Sequence, residues 1–374
     1  MRIKRGQYGS TIGRATTLFL RALATGSPTH MPLRKTASLF SLAFAMVVLL
    51  SACQQPDQPP RTRSAIQTTI SSDGHLVAVL EGAATKEPKL RVKSVEGDGS
   101  WQEITIPSLT TSIRFANRGR ELLLTHYTPG EMGASVLLKI DLASTGVGDK
   151  SQEDADQPMA MPDPTVLHKG PFLRHPLEVA DGQTLVRTCV STTGKDGKNT
   201  CVTSGLGTYW LLLKTDQKPV AVTKRSRAEI QTQPNLTSTG FFWVKGLGPE
   251  DGKPHPDLAS YPLPGGRAPK FDVSDMTRGT RLACDYGAQR CLRQFIDKID
   301  PVTDRYIYGL DVLYGDQACA LKGVQGYSDG QSLTPDGRSA VLSLAEDAHA
   351  PRRVVVLTFT PGRCEPDAVR HLEW

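Results

Sequence analysis

The amino-acid sequence predicts an all-β fold, and three observations support this prediction. Short apolar runs with alternating side chains, such as residues 75–80, 121–126 and 339–344, lie between Gly, Asp, Asn and Pro residues. Helical periodicity is hard to find, since the best candidate, residues 292–299, is short and ends before Pro301. A similar turn sequence also precedes several of the apolar runs. We therefore expect many strands of about four to seven residues.

The turn sequence that precedes the strands occurs three times in clear form. It reads Ser-Ser-Asp-Gly at residues 71–74, Ala-Asn-Arg-Gly at 116–119 and Thr-Pro-Asp-Gly at 334–337, and residues 179–183 are a weaker copy. In each copy an apolar residue ends a strand, polar residues turn the chain, and glycine supplies a positive φ before the next strand. These segments resemble the Ser-Pro-Asp-Gly signature of TolB-like and WD40-like propeller repeats, in which one such turn joins the first two strands of each blade.

The resemblance implies a β-propeller of six or seven blades. The first two turns, at Asp73 and Arg118, are 45 residues apart, close to the roughly 40–45 residues of a four-stranded blade. Residues 259–267 and 354–363 each read as an outer blade strand followed by a glycine-containing turn. The polar segment 149–164 is expected to be an insertion that projects from one face. A β-sandwich or a pair of smaller β-domains is the alternative that the residues leave open.

The N-terminal region resembles the signal peptide of a bacterial lipoprotein. Arg34 and Lys35 precede the apolar residues 39–50, which are too few to span a bilayer. The region ends in Leu50-Ser51-Ala52-Cys53, which resembles a lipobox. The resemblance implies that Cys53 becomes lipidated and that the leader before it is cut off. An ordinary secretory signal or a short membrane anchor is the alternative.

These interpretations divide the chain into three parts. Residues 1–52 are the expected leader, with Met31 as the expected start because it begins a better signal than Met1 does. The residues before Met31 contain no acid and are rich in Arg, Ser and Thr, so a transit peptide is the alternative for that segment. Residues 53–63 contain the lipidated cysteine and a proline-rich tether, and residues 64–374 are expected to form the propeller domain. In the lipoprotein family, Asp after the cysteine favours the inner membrane, so Gln54 favours the periplasmic face of the outer membrane.

The charge of the mature chain argues against nucleic-acid binding. The full sequence has 44 Lys and Arg residues against 38 Asp and Glu residues, a formal charge of +6. Seven of the basic residues and no acidic residue precede Cys53, which leaves 37 against 38, or about −1. Because the basicity leaves with the leader, we expect no nucleic-acid partner.

The cysteines indicate an oxidising compartment, because an even number remains for disulfides once Cys53 is lipidated. The expected pairs are Cys189 with Cys201, Cys284 with Cys291, and Cys319 with Cys364. The first pair would staple a hairpin across a turn-rich segment, the second would close a short loop, and the third follows by elimination. Other pairings stay open. No Cys-x-x-Cys motif or His/Cys cluster occurs, so we expect no metal and no other cofactor.

No catalytic motif stands out in the sequence. It contains no Gly-x-Ser-x-Gly pentapeptide, and none of its histidines lies in a His-Glu-x-x-His frame. His168 and His175 are the closest pair, and we interpret them as loop residues. The aromatic segments 209–210 and 241–243, together with Trp101, are candidates for stacking on a sugar or a peptide. Such residues fill the space between blades more often than they bind ligands.

The expected function is therefore non-catalytic. We expect a periplasmic lipoprotein, held at the outer membrane of a Gram-negative cell by its lipid, whose propeller binds another protein of the envelope. An enzyme or small-ligand binder that uses the central channel is the alternative. Loops of several blades can assemble a site that no short motif reveals.

Overall fold

The computed structural model describes most of the chain after residue 65. The described residues are 66–96, 100–131, 133–143, 158–179, 183–193, 199–201, 208–214, 217–222, 235–237, 240–247, 256–262, 272–277, 280–303, 306–324, 326–345 and 352–372. The expected leader, Cys53 and the tether lie outside these ranges, as do residues 149–157 of the expected insertion and residues 180–182 of the weak turn copy. Every structural statement below concerns the described residues.

The described strands form antiparallel sheets that follow one another along the chain. Sheet 1 contains β1 (Gln67–Ile70), β2 (Leu76–Glu81), β3 (Lys89–Ser94) and β4 (Gln102–Ile104); sheet 2 contains β5 (Thr110–Ala116), β6 (Glu121–Tyr127), β7 (Ala134–Asp141) and β8 (Thr165–Pro171). Sheet 3 contains β9 (Arg174–Val179), β10 (Gln183–Cys189), β13 (Thr208–Leu213) and β14 (Val220–Ala221), and β11 (Ser191–Thr193) and β12 (Asn199–Cys201) form a separate hairpin. Sheet 4 contains β15 (Asn235–Thr237), β16 (Gly240–Lys245) and β17 (Asp257–Pro262).

The last two sheets complete the sequence order. Sheet 5 contains β18 (Arg281–Cys284), β19 (Arg290–Ile299), β20 (Tyr306–Tyr314) and β21 (Gln317–Ala320). Sheet 6 contains β22 (Tyr327–Leu333), β23 (Ser339–Ala345), β24 (Arg353–Thr358) and β25 (Ala368–Leu372). Five of the described sheets therefore have four strands in simple meander order.

The sheets are arranged as a propeller in which the first sheet lies beside the last. Strand β1 contacts β5 of sheet 2 on one side and β22 of sheet 6 on the other. Strand β5 also contacts β9, and β18 contacts both β15 and β22. Four-stranded meanders that touch through their first strands are the blades of a β-propeller. The predicted propeller is confirmed, and the alternative of a β-sandwich or two smaller β-domains is wrong.

Apolar clusters between neighbouring sheets hold the propeller together. Alternate residues of a strand point to opposite faces of its sheet. Ala78 and Leu80 of β2 accordingly pack with Leu122 of sheet 2, whereas Val77 of the same strand packs with Val341 of sheet 6. A middle strand with apolar residues on both faces is what a blade packed between two others requires.

The predicted turns join the first two strands of sheets 1, 2 and 6. The Ser71 hydroxyl donates to Asp73 Oδ1 at 2.5 Å, and the Thr334 hydroxyl donates to Asp336 Oδ1 at 2.7 Å. The glycines that follow these aspartates have φ values of 79° and 69°. A side chain at the equivalent Gly119 would place its Cβ only 2.6 Å from Ser71 Cβ. Glycine is therefore required both by the turn conformation and by the close approach of neighbouring blades.

Residues 292–299, the best candidate for helical periodicity, belong to strand β19, in agreement with the all-β prediction. Two interpretations of the sequence are corrected. His168 and His175 lie on strands β8 and β9, because the connection between these strands is only two residues long. Residues 354–358 belong to the third strand of sheet 6, since β25 pairs with β24 and is the outermost strand.

The end of the expected insertion is part of the packed structure. The N–H of Met159 donates to Glu103 O at 2.8 Å, and the N–H of Thr105 donates to Met159 O at 2.8 Å. Met159 and Met161 also pack against the apolar cluster between sheets 1 and 2. This end of the segment therefore lies along β4.

The structure places two of the predicted cysteine pairs at disulfide distance. These are Cys284 with Cys291 and Cys319 with Cys364. Cys189 is also disulfide-bonded. The predicted hairpin is present as β11 and β12, with Ser191 opposite Cys201 in the register, but the side chain of Cys201 lies outside the description.

Candidate functional site

The first strands of the sheets define two faces of the propeller. On the turn face, where these strands end, neighbouring turns touch, as at Gly119 and Ser71. On the entry face, where these strands begin, Gln67 Nε2 donates to Thr111 O of the next sheet at 2.6 Å. The first strands of neighbouring sheets therefore begin at one face and end at the other. As a result, residues that are far apart in the sequence lie close together at each face.

Tyr286 of sheet 5 contacts sheets 3 and 6 at the turn face. It lies in the turn of sheet 5, its N–H donates to Pro335 O of sheet 6 at 2.9 Å, and its ring packs beside the Val179 cluster of sheet 3. Burial raises the pKa of the Tyr286 hydroxyl, with the charges of Arg114 from sheet 2 and Glu178 from sheet 3 acting in opposite directions. Tyr286 therefore has a packing role where these sheets meet.

Glu178 has the raised pKa that acid–base catalysis uses, but its contacts are structural. Burial raises the pKa of this carboxyl, and a hydrogen bond from the backbone of Asn117 opposes the change. That hydrogen bond, from Asn117 N to Glu178 Oε2, measures 2.6 Å. It fastens the turn of sheet 2 to sheet 3, which gives the carboxylate a role in joining blades.

Three arginines and a histidine gather at the entry face. Arg174 and His175 begin β9, and Arg187 lies opposite Arg174 on β10. His175 has a left-handed φ of 50°, and its N–H donates to Ser112 Oγ of sheet 2 at 2.8 Å. Burial and the positive charges of Arg187, Arg174 and Arg281 lower the pKa of His175 to about 3, so its imidazole is neutral at pH 7.

Tyrosines orient two of these arginines. Arg281 Nη1 donates to Ser328 O at 2.8 Å, and its Nη2 donates to the Tyr327 hydroxyl at 3.1 Å. The Arg281 guanidinium also lies 5.4 Å from the centre of the Tyr327 ring. Arg174 Nη2 donates to the Tyr127 hydroxyl at 2.5 Å.

Arg187 forms no comparable hydrogen bond to a tyrosine among the described residues. Its side chain is partly buried, and burial and the neighbouring charge of Arg174 both lower its pKa. In the described part of the chain, no carboxylate forms an ion pair with it. A guanidinium without a paired acid in a partly buried position is a donor available to an anion.

The β19–β20 hairpin extends beyond the arginines. Arg281 pairs with Gln294, and β19 continues to Ile299, roughly 16 Å farther at the usual rise per residue. The hairpin tip comprises Ile299, Val302, Tyr306 and Ile307, which are 52%, 90%, 57% and 38% exposed. This apolar group projects from the entry face.

Aromatic side chains connect the hairpin tip with the arginines. The Tyr308 ring lies 6.4 Å from the Tyr306 ring and 5.0 Å from the Tyr327 ring. Arg281 lies over Tyr327. The entry face therefore presents apolar, aromatic and cationic groups in succession.

A cleft of about 320 Å³ lies at the turn face between sheets 1 and 6. Asp73, His75, Glu96 and Arg370 contribute to its walls. Arg370 Nη1 donates to Val95 O across the cleft, and His75 Nδ1 lies 3.7 Å from Glu96 Oε1. Because these polar groups already contact one another, we interpret the cleft as part of the contact between the first and last sheets and not as a ligand site.

Of the aromatic residues predicted to fill space between blades, Tyr209 is half-buried and the side chain of Phe241 lies outside the described residues. Trp210, Phe242 and Trp243 are buried, and Trp101 packs against the cluster between sheets 1 and 6. The sequence analysis did not identify the entry-face arginines, because isolated basic residues in strands form no motif. The closely spaced tyrosines of β20 were the one local signal of this surface.

Two searches of the described residues gave negative results. No group of three His, Cys, Asp or Glu side chains there is placed to hold a metal ion. No helix in that part of the chain is long and apolar enough to cross a membrane.

Solved structures similar to this chain include a TolB protein, the propeller domain of a protease and a peptidase. TolB from Acinetobacter baumannii is 12% identical, with a TM-score of 0.47, over 78% of this chain and 60% of that chain. The β-propeller domain of the Trilobed protease from Pyrococcus furiosus is 13% identical, with a TM-score of 0.45, over 78% of each chain. Acylaminoacyl peptidase from Pyrococcus horikoshii is 12% identical, with a TM-score of 0.42, over 83% of this chain and 45% of that chain.

The match with TolB from Acinetobacter baumannii spans 60% of that protein's length. No family model matches the sequence, and a search of the curated proteins gave no match. The class of protein is therefore defined by the described sheets themselves: the chain contains a β-propeller.

Proposed function

We propose that this chain is a periplasmic lipoprotein, anchored to the outer membrane through Cys53, whose propeller binds another envelope protein without catalysing a reaction. The main support for protein binding is the exposed apolar hairpin tip. We also propose that sheet 4 is a further blade, which gives a six-bladed ring.

The hairpin tip has the properties of a protein-binding surface. Burial of a single large apolar side chain contributes about 1.5–3 kcal/mol, and a few such residues dominate many interfaces. Tyr306 combines a large ring with a hydroxyl that tolerates water, as is common at interfaces. Four neighbouring apolar residues on a projecting hairpin give a partner an anchor point that the even surface of a blade lacks.

The anchor supports the same proposal. A protein with several acyl chains stays on its membrane, and the proline-rich sequence after Cys53 is the tether that we propose between the lipid and the propeller. A propeller held near the membrane in this way meets envelope proteins at high effective concentration.

Crosslinking in the native membrane tests the proposal. The lipidated protein is crosslinked and purified as wild type, as a Val302→Ser/Tyr306→Ser variant, and as a matched Val166→Ser/Val220→Ser variant. The control valines are also exposed, at 52% and 45%, but lie on outer strands of sheets 2 and 3. We expect a near-stoichiometric partner with wild type and control, and about a tenfold lower yield with the tip variant.

A Cys53→Ser variant tests the anchor in the same experiment. It should lose lipid labelling and leave the outer-membrane fraction, and its partner yield should fall because the tether no longer concentrates the two proteins. Unchanged outer-membrane fractionation would contradict the anchor. Equal partner yields from the tip and control variants would contradict the role of the hairpin tip.

A further inference from the structure

The contact between sheets 1 and 6 contains three buried hydroxyl groups. Ser332 and Ser343 are 0% exposed, and Thr68 is 6% exposed. Within the part of the chain that the structure describes, none of these three hydroxyl oxygens has a hydrogen-bond partner. Burial of a polar group without a partner is costly, so nearly all buried hydroxyls in proteins bond either to protein or to an ordered water molecule.

The strand register turns these hydroxyls toward the same space. Ser332 lies opposite Val341, and Ser343 is two residues beyond Val341 on β23, so all three side chains share one face of sheet 6. Val341 and Ile70 of β1 belong to the apolar cluster between sheets 1 and 6, which identifies this face as the one toward sheet 1. Thr68 precedes Ile70 by two residues on β1, so its side chain points toward sheet 6.

Gly330 lets the Thr68 hydroxyl approach Ser343. Gly330 lies opposite Ser343, and a Cβ atom at Gly330 would be 2.8 Å from Thr68 N and 3.0 Å from Thr68 Oγ1. The Thr68 hydroxyl therefore lies where a side chain at residue 330 would otherwise be. Side chains at opposed positions have Cβ atoms about 4.5–5.5 Å apart, and one water molecule joins two oxygens over that range with two hydrogen bonds of about 2.8 Å each.

Buried hydroxyls in sheet 2 have a different arrangement. Thr111 Oγ1 lies 2.8 Å from Thr125 Oγ1, and Ser112 Oγ lies 2.5 Å from the same oxygen. These hydroxyls satisfy one another directly, whereas the three hydroxyls between sheets 1 and 6 form no such bonds. A further group that both donates and accepts hydrogen bonds is therefore needed there.

We propose that Thr68, Ser332 and Ser343 bind an ordered water molecule that joins sheet 1 to sheet 6. Water suits this site because it donates and accepts, and a buried water typically makes about three hydrogen bonds. Sheets 1 and 6 each consist of four consecutive strands, so no described strand is shared between them. The water supplies a buried polar link across this closure of the ring, beside the apolar contacts. The inference depends neither on the anchor nor on the protein partner.

A crystal structure of the mature chain that shows ordered water tests the site directly. We expect one water molecule at about 2.7–3.0 Å from at least two of the three hydroxyl oxygens. Direct hydrogen bonds among the three hydroxyls, or their burial without water, would overturn the inference.

Thermal unfolding of the mature chain distinguishes a bound water from hydroxyls that are only buried. Ser343→Ala removes one hydrogen bond of the water, so we expect the Tm to fall by about 2 °C. If the hydroxyl has no partner, the same substitution removes an unsatisfied polar group and the Tm rises. Thr68→Val/Ser343→Ala should lower the Tm by less than the sum of the two single substitutions, because both hydroxyls act through the same water.

Thr188→Val is the matched control. Thr188 is 1% exposed, and its hydroxyl donates directly to Pro171 O at 2.6 Å, away from sheets 1 and 6. We expect this substitution to lower the Tm and to add to the effect of Ser343→Ala, since the two hydroxyls share no partner. A higher Tm in Ser343→Ala, or additive effects of Thr68→Val and Ser343→Ala, would overturn the inference.

Discussion

The junction between sheets 5 and 6 and the seam between sheets 6 and 1 close the same propeller by different means. At the junction, a buried arginine and a disulfide cross from one sheet to the next. At the seam, where the two ends of the domain meet, the contacts are chiefly apolar side chains. Polar and covalent links therefore cross the junction in addition to apolar contacts, whereas apolar contacts dominate at the seam.

Arg290 is the centre of the junction. It is 2% exposed, its Nη2 donates to Thr360 O at 3.1 Å and to Arg363 O at 2.5 Å, and its Nη1 donates to Gly337 O. Its guanidinium also lies 4.5 Å from the Phe359 ring centre. One side chain of sheet 5 therefore satisfies three carbonyl groups of sheet 6.

The seam depends on a smaller set of interactions. Val77 and Val79 of sheet 1 pack with Val341, Val354 and Val356 of sheet 6. Sheets 1 and 6 each consist of four consecutive strands, so no described strand from one end of the domain completes the sheet at the other end. The seam is therefore the place where we expect the propeller to open first.

Replacement of Arg290 is the largest test of this comparison. Arg290→Met keeps much of the side-chain volume but removes three hydrogen bonds from a charged donor, one to the buried Gly337 and two to the exposed residues Thr360 and Arg363. A hydrogen bond from a charged group contributes about 1.5–3 kcal/mol and less where water can replace it, so we expect a loss of about 4 kcal/mol in the free energy of unfolding, measured by urea denaturation. Arg338→Met, at an exposed arginine, is the control and should change stability by less than about 0.5 kcal/mol. A loss of under about 1 kcal/mol in Arg290→Met would show that the junction does not depend on this side chain.

Removal of the disulfide between sheets 5 and 6 is the next test. The Cys319–Cys364 pair has a sequence separation of 45, whereas Cys284–Cys291, within sheet 5, has a separation of 7. Because the cost of closing a loop in the unfolded chain rises with its length, the longer loop should contribute about 1.5 kcal/mol more. We expect Cys319→Ala/Cys364→Ala to lose about 3 kcal/mol and Cys284→Ala/Cys291→Ala about half of that, both by urea denaturation. The opposite order would mean that the disulfide across the junction is redundant with Arg290.

The sequence predicted the parts of the structure that depend on local chemistry. The turns at Asp73 and Asp336 were predictable because the hydroxyl, carboxylate and glycine that form each turn lie within a few residues. Alternating apolar residues likewise predicted strands such as β2 and β23. The propeller was predicted from the resemblance of these repeated turns to TolB-like and WD40-like repeats.

The junction and the entry face were not predictable in the same way. Arg290 lies between two cysteines in the sequence, and its acceptors are 47 to 73 residues away. Arg174 and Arg281 lie at one face only because the first strands of sheets 3 and 5 begin there. Interactions of this kind depend on the arrangement of the sheets, which no local pattern contains.

Replacement of Arg370 at the seam should have the smallest effect. Its Nη1 donates to Val95 O across the exposed cleft, where water replaces a lost donor at little cost. We expect Arg370→Ala to lower the free energy of unfolding by less than about 1 kcal/mol. Amide hydrogen exchange of Val77 and Val79 on β2, which pack against the seam, should nevertheless accelerate in this variant, because local opening requires fewer interactions to break than global unfolding does. The opposite result would be unchanged exchange at β2 in Arg370→Ala, together with faster exchange at β19 in Arg290→Met. It would show that the junction between sheets 5 and 6 opens more easily than the seam.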